Sequence, residues 1–264
     1  MGKNPLTRAD IIKTLVDALK PIDYVLAFWE GGAAAFNRVD EWSDIDLYLV
    51  VADEKVDETF LAVEEALKSL SPIQQKHTVV HPEPGLFQAF YRLEDANKFL
   101  LIDLAVMTLS NPDKFLEPEI HGEAMFYFNK SKEIKAPALD KKAMITKLVK
   151  RLEQLKARFN MFNSFIQKEI NRGNHVEAID LYHVLILGAL VTVLRIKHSP
   201  VHYDFKTRYV HYELPAEITE KLKELYFVAN EDELQEKYDE ASKLFRKITS
   251  ELTQASIEKL VQST

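Results

Sequence analysis

The chain has 264 residues and no cysteine, and its 41 aspartates and glutamates outnumber 34 lysines and arginines, for a formal net charge of −7. That balance argues against a nucleic-acid binder held by a broad basic surface. The missing cysteines exclude a disulfide framework and thiol chemistry, and they fit a cytoplasmic protein. With 47% hydrophobic and 28% charged residues, the composition is that of a globular chain of one or two domains.

Residues 7–19 predict a first helix, with Thr7 as N-cap and an apolar stripe of Ile11, Leu15, Val16 and Leu19. This N-terminal stretch lacks the continuous apolar core of a signal peptide. Pro21 ends the helix, and 23–29 (DYVLAFW) reads as a buried strand. It leads to Gly31 and Gly32, which permit a sharp turn and a close backbone approach to a ligand. Ala33 to Ala35 then allow a short helix whose first N–H groups would face a phosphate; a plain strand-to-helix turn has the same composition.

A second strand is predicted over 44–51. Asp44 and Asp46 are two residues apart on it, so both carboxylates project from one face. Like charges held this close repel, and oxygen-only donors at this spacing suit a hard cation such as magnesium. An isolated Asp-x-Asp would equally describe two solvated residues at a strand end.

An amphipathic helix over 57–70 follows, closed by Ser71-Pro72, and then strands over 75–81, 86–93 and 98–107. His77 and His81 would share a strand face but lie more than ~12 Å apart, and so read as ordinary polar positions. Asp103 interrupts the apolar run FLLIDLAVM. A carboxylate there is costly unless it is paired or metal-bound. Arg92 on the neighbouring strand is the competing structural partner.

Residues 124–128 are a candidate for one further strand. From about 139 the pattern turns helical: 139–170, a turn at 171–174, 175–198, 215–229 and 232–260. The apolar run 181–196 is short for a bilayer and reads as the central helix of a bundle, with Tyr182 and His183 as core and edge residues. These patterns predict an α+β chain: a small mixed-sheet domain over 1–137, then an all-α bundle over 138–264. The connecting stretch 199–215, with His198 just before it, gathers His202, His211, Tyr203, Tyr209, Tyr212, Lys206 and Arg208. It reads either as a ligand-facing loop or as a solvated basic-aromatic one.

The glycine pair, the Asp-x-Asp strand and the later carboxylate together resemble the signature of the nucleotidyltransferase superfamily that includes DNA polymerase beta. Ser43 completes the common Ser-Asp-x-Asp form, while Gly32 stands where many members have serine. The two-domain plan looks like the antibiotic-modifying members, such as the kanamycin and lincosamide nucleotidyltransferases. The resemblance implies transfer of a nucleoside monophosphate, AMP foremost, from ATP or another nucleoside triphosphate to a hydroxyl of a small-molecule acceptor. It implies two Mg2+ ions, with Mn2+ as an alternative, held by Asp44, Asp46 and Asp103. Gly31, Gly32 and Ser43 would line the nucleotide, with Lys206 and Arg208 as cations for the triphosphate. A protein or RNA acceptor, or a nucleotide-binding protein without catalysis such as an antitoxin, are the alternatives on the same fold. No membrane partner is implied.

Overall fold

The computed structural model describes residues 6–82 and 84–264. Backbone contacts divide the chain into two compact units, Met1–Ala138 and Leu139–Thr264.

The first unit is built on a six-stranded mixed sheet. The elements in order are α1 (Arg8–Leu19), β1 (Val25–Glu30), α2 (Gly32–Ala35), β2 (Ile45–Val51), α3 (Val56–Leu70), β3 (Ile73–Val80), β4 (Leu86–Leu93), β5 (Ile102–Thr108), α4 (Pro118–His121) and β6 (Met125–Asn129). The strand order is β3-β4-β5-β2-β1-β6. Only β2 and β5 run parallel; the other neighbours are antiparallel.

Thr7 caps α1 through a capping box with Asp10, so two backbone donors at the helix start are satisfied. Ile11, Leu15 and Leu19 of α1 and Val63 and Leu67 of α3 are buried against Phe28, Ile45, Leu47, Leu49, Leu104 and Val106 of the sheet. Each such side chain contributes roughly 1.5–3 kcal/mol when fully buried. Residues that alternate with these face the other way, because strand side chains have a period of two. At one end of that second face, Ala27, Trp29, Val50 and Met107 are covered by Leu116 and Ile134. At its other end stand the aspartates. Strand β5 starts at Ile102 rather than at 98, because Asn97 to Leu101 form turns.

The second unit is all helix: α5 (Lys141–Phe162), α6 (Ser164–Asn171), α7 (His175–Leu181), a π-helical segment (Tyr182–Leu187), α8 (Gly188–His198), a 3-10 turn (Pro200–His202), α9 (Val210–Glu213), α10 (Ala216–Tyr226), α11 (Glu231–Glu251) and α12 (Gln254–Gln262). Two helices expected to be continuous are broken. The one expected over 139–170 turns at Asn163, whose side-chain amide donates to the Phe159 carbonyl at 2.7 Å and competes with the helical ladder. The one expected over 232–260 stops at Leu252, and Thr253 starts a new helix with a capping box to Ser256. The stretch His175–His198 is apolar and long enough to cross a membrane, but 61% of its most apolar window is buried inside the protein. Tyr182, Ile186, Leu190, Val193 and Leu194 are all buried, as befits a central bundle helix.

Candidate active site

Strand pairing brings the two carboxylate-bearing segments together. In the parallel β2–β5 pair, Asp46 stands in register with Asp103, on strands spaced ~4.8 Å apart. Asp44 lies one pleat before Asp46, on the same face. All three are half-buried at the open end of the second sheet face.

The backbone here is held from the helix-covered side. Arg8 Nη1 donates to the Asp44 carbonyl at 2.6 Å, and Arg8 Nη2 pairs with Glu30, which also accepts from the Tyr127 hydroxyl. Glu30 is buried, so this Arg–Glu–Tyr cluster fixes where β1 ends and β2 begins. No sequence motif pointed to Arg8; it is the first residue of an ordinary amphipathic helix.

The glycine pair is shaped by the same strand. Gly31 N–H donates to the Asp46 carbonyl at 2.9 Å, so that donor is spent inside the protein. A Cβ on Gly31 would come 2.6 Å from the Tyr48 ring. Gly32 sits in the left-handed region at φ 52, and a Cβ there would lie 1.7 Å from Asp46 Oδ2. The Asp46 carboxylate therefore occupies the space that a side chain at 32 would need, which is why serine is not accommodated with Asp46 in this position.

Ser43 is engaged in its own turn. Its hydroxyl donates to Asp40 Oδ1 at 2.7 Å and accepts from the Asp40 N–H at 2.9 Å. This Asx-type turn delivers the chain into β2 and presents Trp42, 58% exposed, edge-on to Phe99 at 4.9 Å. Trp42 is two residues before Asp44, and sequence reasoning did not single out the aromatic pair.

Asp103 has a neutral partner. Gln88 Nε2 donates to Asp103 Oδ1 at 2.6 Å, and Gln88 Oε1 meets His81 Nε2 at 2.9 Å. Arg92, the competing partner, turns to the Lys98 carbonyl instead. His81 lies just beyond β3 and belongs to the Asp103 network, contrary to its reading as an ordinary polar position. The sequence signal was Gln88 itself, a polar residue pointing the same way as Asp103 from a largely apolar strand. Burial pushes the Asp103 carboxyl above its ordinary value and Asp44 pushes it further, while the Gln88 hydrogen bond and His81 oppose the rise.

These donors suit a hard divalent cation in chemistry: they are all oxygen, and the ionised form of Asp103 is disfavoured in a way that an added positive charge relieves. They do not converge as a finished cage, since among the described residues no group of three His, Cys, Asp or Glu side chains is arranged to hold a metal ion. The expected metal site thus stands on register and donor type rather than on preformed coordination.

In the helical unit, the two expected loop cations part company. Lys206 lines a cavity of about 450 Å³. Arg208 instead lies over the rings of Phe205 and Tyr209, at 4.7 and 5.7 Å. The loop is braced from within by Arg195, fully buried in α8: its Nε donates to the Lys206 carbonyl at 2.6 Å, its Nη2 to the Arg208 carbonyl, and its Nη1 pairs with Glu213 at 2.7 Å. His202 also contacts Glu213, at 3.1 Å, and stacks on Phe205. The loop backbone is therefore held from within, while the side chains of Lys206, Arg208, His211 and Tyr212 are exposed.

No protein-family model matches the sequence, and no curated protein does. Solved structures that resemble the chain include two adenyltransferases. An aminoglycoside 6-adenyltransferase from Bacillus subtilis is 15% identical, with 96% of this chain and 91% of that one covered and a TM-score of 0.36. A spectinomycin adenyltransferase from Enterococcus faecialis, solved with ATP and spectinomycin, is 10% identical, with 92% and 98% covered and a TM-score of 0.37. Likenesses of this size leave the site to be read from its own residues.

Proposed function

We propose that the protein transfers a nucleoside monophosphate, AMP foremost, from a nucleoside triphosphate to a hydroxyl of a small-molecule acceptor, releasing pyrophosphate. The observation that supports this is the register of Asp46 with Asp103 on the one parallel strand pair, with Asp44 a pleat away on the same face. Such a patch of carboxylates repels itself and is stable in function only around positive charge. Asp44, Asp46 and Asp103 would hold two magnesium ions, which supply charge neutralisation for the phosphates. The chain's own part is positioning. The Gly32 turn lets backbone come close to a phosphate. Asp103, held by Gln88, accepts the proton of the acceptor hydroxyl as its oxygen bonds to the α-phosphorus and the bond to the leaving pyrophosphate breaks. Lys206 and Arg208 are the cations proposed for the triphosphate, and Arg208 lies over the Phe205 ring at 4.7 Å.

The test follows α-32P label from ATP and Mg2+ into small-molecule, protein and RNA fractions of a cell extract. Label in the small-molecule fraction, absent with Asp44→Asn, is the expected result. Label on protein or RNA would replace the acceptor class, and ATP binding without any label would leave only the non-catalytic alternative.

A further inference from the structure

The cavity beside Lys206 has a lining of one charge sign. It lies wholly within the helical unit, between α5, the π-helical segment with α8, the loop carrying Lys206 and Thr207, and Tyr226 at the end of α10. Its charged lining groups are Arg151, Arg158 and Lys206, and no carboxylate lines it. Among the described residues none of the three forms an ion pair, although the chain as a whole carries seven more negative than positive charges. Acidic side chains are abundant, and elsewhere in this unit they pair with Lys156, Arg172, Lys197, Lys221 and Lys237. Cations left together without such partners repel one another, and an anion relieves that repulsion.

The geometry suits a ligand with a charged head and an apolar body. Arg151 and Arg158 are seven residues apart on α5, two turns along one face, a span of ~10 Å. On the same helix Leu155 and Phe159 give the wall an apolar floor. The opposite wall is held in place. The π-helical stretch contributes His183, Val184 and Leu185 in succession, and such stretches are rare and often found at functional sites. Lys206 has a left-handed backbone, φ 53, and buried Arg195 grips its carbonyl, so the backbone that carries the ammonium is held in place. Phosphate matches these donors well, because guanidinium groups offer paired N–H bonds to its oxygens and an ammonium adds a point charge.

We propose that this cavity is an anion site of the helical unit, taking a phosphate-bearing small molecule whose phosphate oxygens meet Arg151, Arg158 and Lys206 and whose body rests on Leu155 and Phe159. Those phosphates come either from the nucleotide of the proposed reaction or from a separate phosphorylated ligand. The site itself does not depend on that reaction.

The experiment is calorimetric titration of the full chain with inorganic tripolyphosphate in EDTA, repeated at two salt concentrations. Wild type should bind, more weakly at high salt. Arg158→Gln, an exposed position, and Arg151→Gln should each weaken binding about tenfold and abolish it together, with unchanged thermal melting. Asp44→Asn should bind tripolyphosphate as wild type does. Competition between tripolyphosphate and Mg-ATP, with a raised KM for ATP in Arg151→Gln, assigns the phosphates to the nucleotide. Simultaneous binding of both assigns them to a second ligand. No binding by folded wild type, or binding indifferent to both arginines, overturns the site. A wild-type response in Asp44→Asn transfer assays would overturn the proposed reaction and leave the anion site standing.

Discussion

Among the described residues, each unit of this protein holds a buried arginine–glutamate pair and, apart from it, a charged group or groups that form no ion pair. In the sheet unit Arg8 meets Glu30, while the carboxylate of Asp103 is held only by an amide. In the helical unit Arg195 meets Glu213, while Arg151, Arg158 and Lys206 line a cavity free of carboxylates. The paired groups also grip backbone: Arg8 the carbonyl of Asp44, Arg195 the carbonyls of Lys206 and Arg208. The mated charges fix where the unmated ones stand. Removing a mated charge should therefore damage the fold, and removing an unmated one should damage only binding or chemistry.

The largest effect should come from Arg195→Met. It takes the guanidinium from Glu213, 7% exposed, and leaves it His202 as neighbour; breaking a buried pair costs about 3–5 kcal/mol. Urea denaturation should show that loss together with faster proteolysis around 199–215. A change below about 1 kcal/mol would break the contrast.

Next are the site aspartates. Asp44→Asn should lower transfer by at least about a hundredfold while the melting temperature stays level or rises, since one source of repulsion is gone. Asp103→Asn should keep nucleotide binding and lose turnover on a similar scale. Normal turnover in either variant would remove these residues from the chemistry.

Gly32→Ser sharpens the comparison from the backbone side. The new Cβ enters the space of Asp46 Oδ2 at a left-handed position, so the carboxylate must turn away and strain of about 1 kcal/mol is added. The expected outcome is a modestly lower melting temperature and a larger loss in metal-dependent nucleotide binding.

Sequence periodicity carried most of the fold because each buried stripe has a matching face. The α1 stripe, the apolar β2 and β5 runs and the central bundle helix all appear where their patterns place them. What it could not carry was pairing at a distance. Nothing local in Arg8 or Gln88 says that they meet the backbone of Asp44 and the carboxylate of Asp103, because those contacts span 36 and 15 residues. The breaks at Asn163 and Leu252 were hidden for another reason: the apolar stripe continues across both, and only side-chain hydrogen bonds reveal them. The cation cavity was half visible. Lys206 stood out in a loop rich in turn residues, whereas Arg151 and Arg158 sit in a helix dense with lysine and arginine, where no spacing rule separates a lining cation from a solvated one.

The smallest predicted effect tests the link from His81 through Gln88 to Asp103. With Gln88 donating to Asp103, the Gln88 carbonyl oxygen is left to accept, which requires His81 Nε2 to carry a proton. The hydrogen bond from Gln88 favours the ionised carboxylate and works against the burial that raises its pKa. Gln88→Leu removes that counterweight, so the Asp103 pKa should rise further. If Asp103 acts ionised, the acid limb of the transfer profile moves to higher pH, with the plateau rate changed less than the limb. The stability sign is opposite to that of a salt-bridged aspartate. A carboxyl raised in the folded state binds its proton more tightly there than in the unfolded chain. The native state therefore loses stability as pH climbs from the ordinary aspartate value through the raised one. Metal-free Gln88→Leu should lose more over that interval than wild type, and Asp103→Asn should lose less. A pH profile for Gln88→Leu that overlays wild type would show that the amide merely fills space beside Asp103.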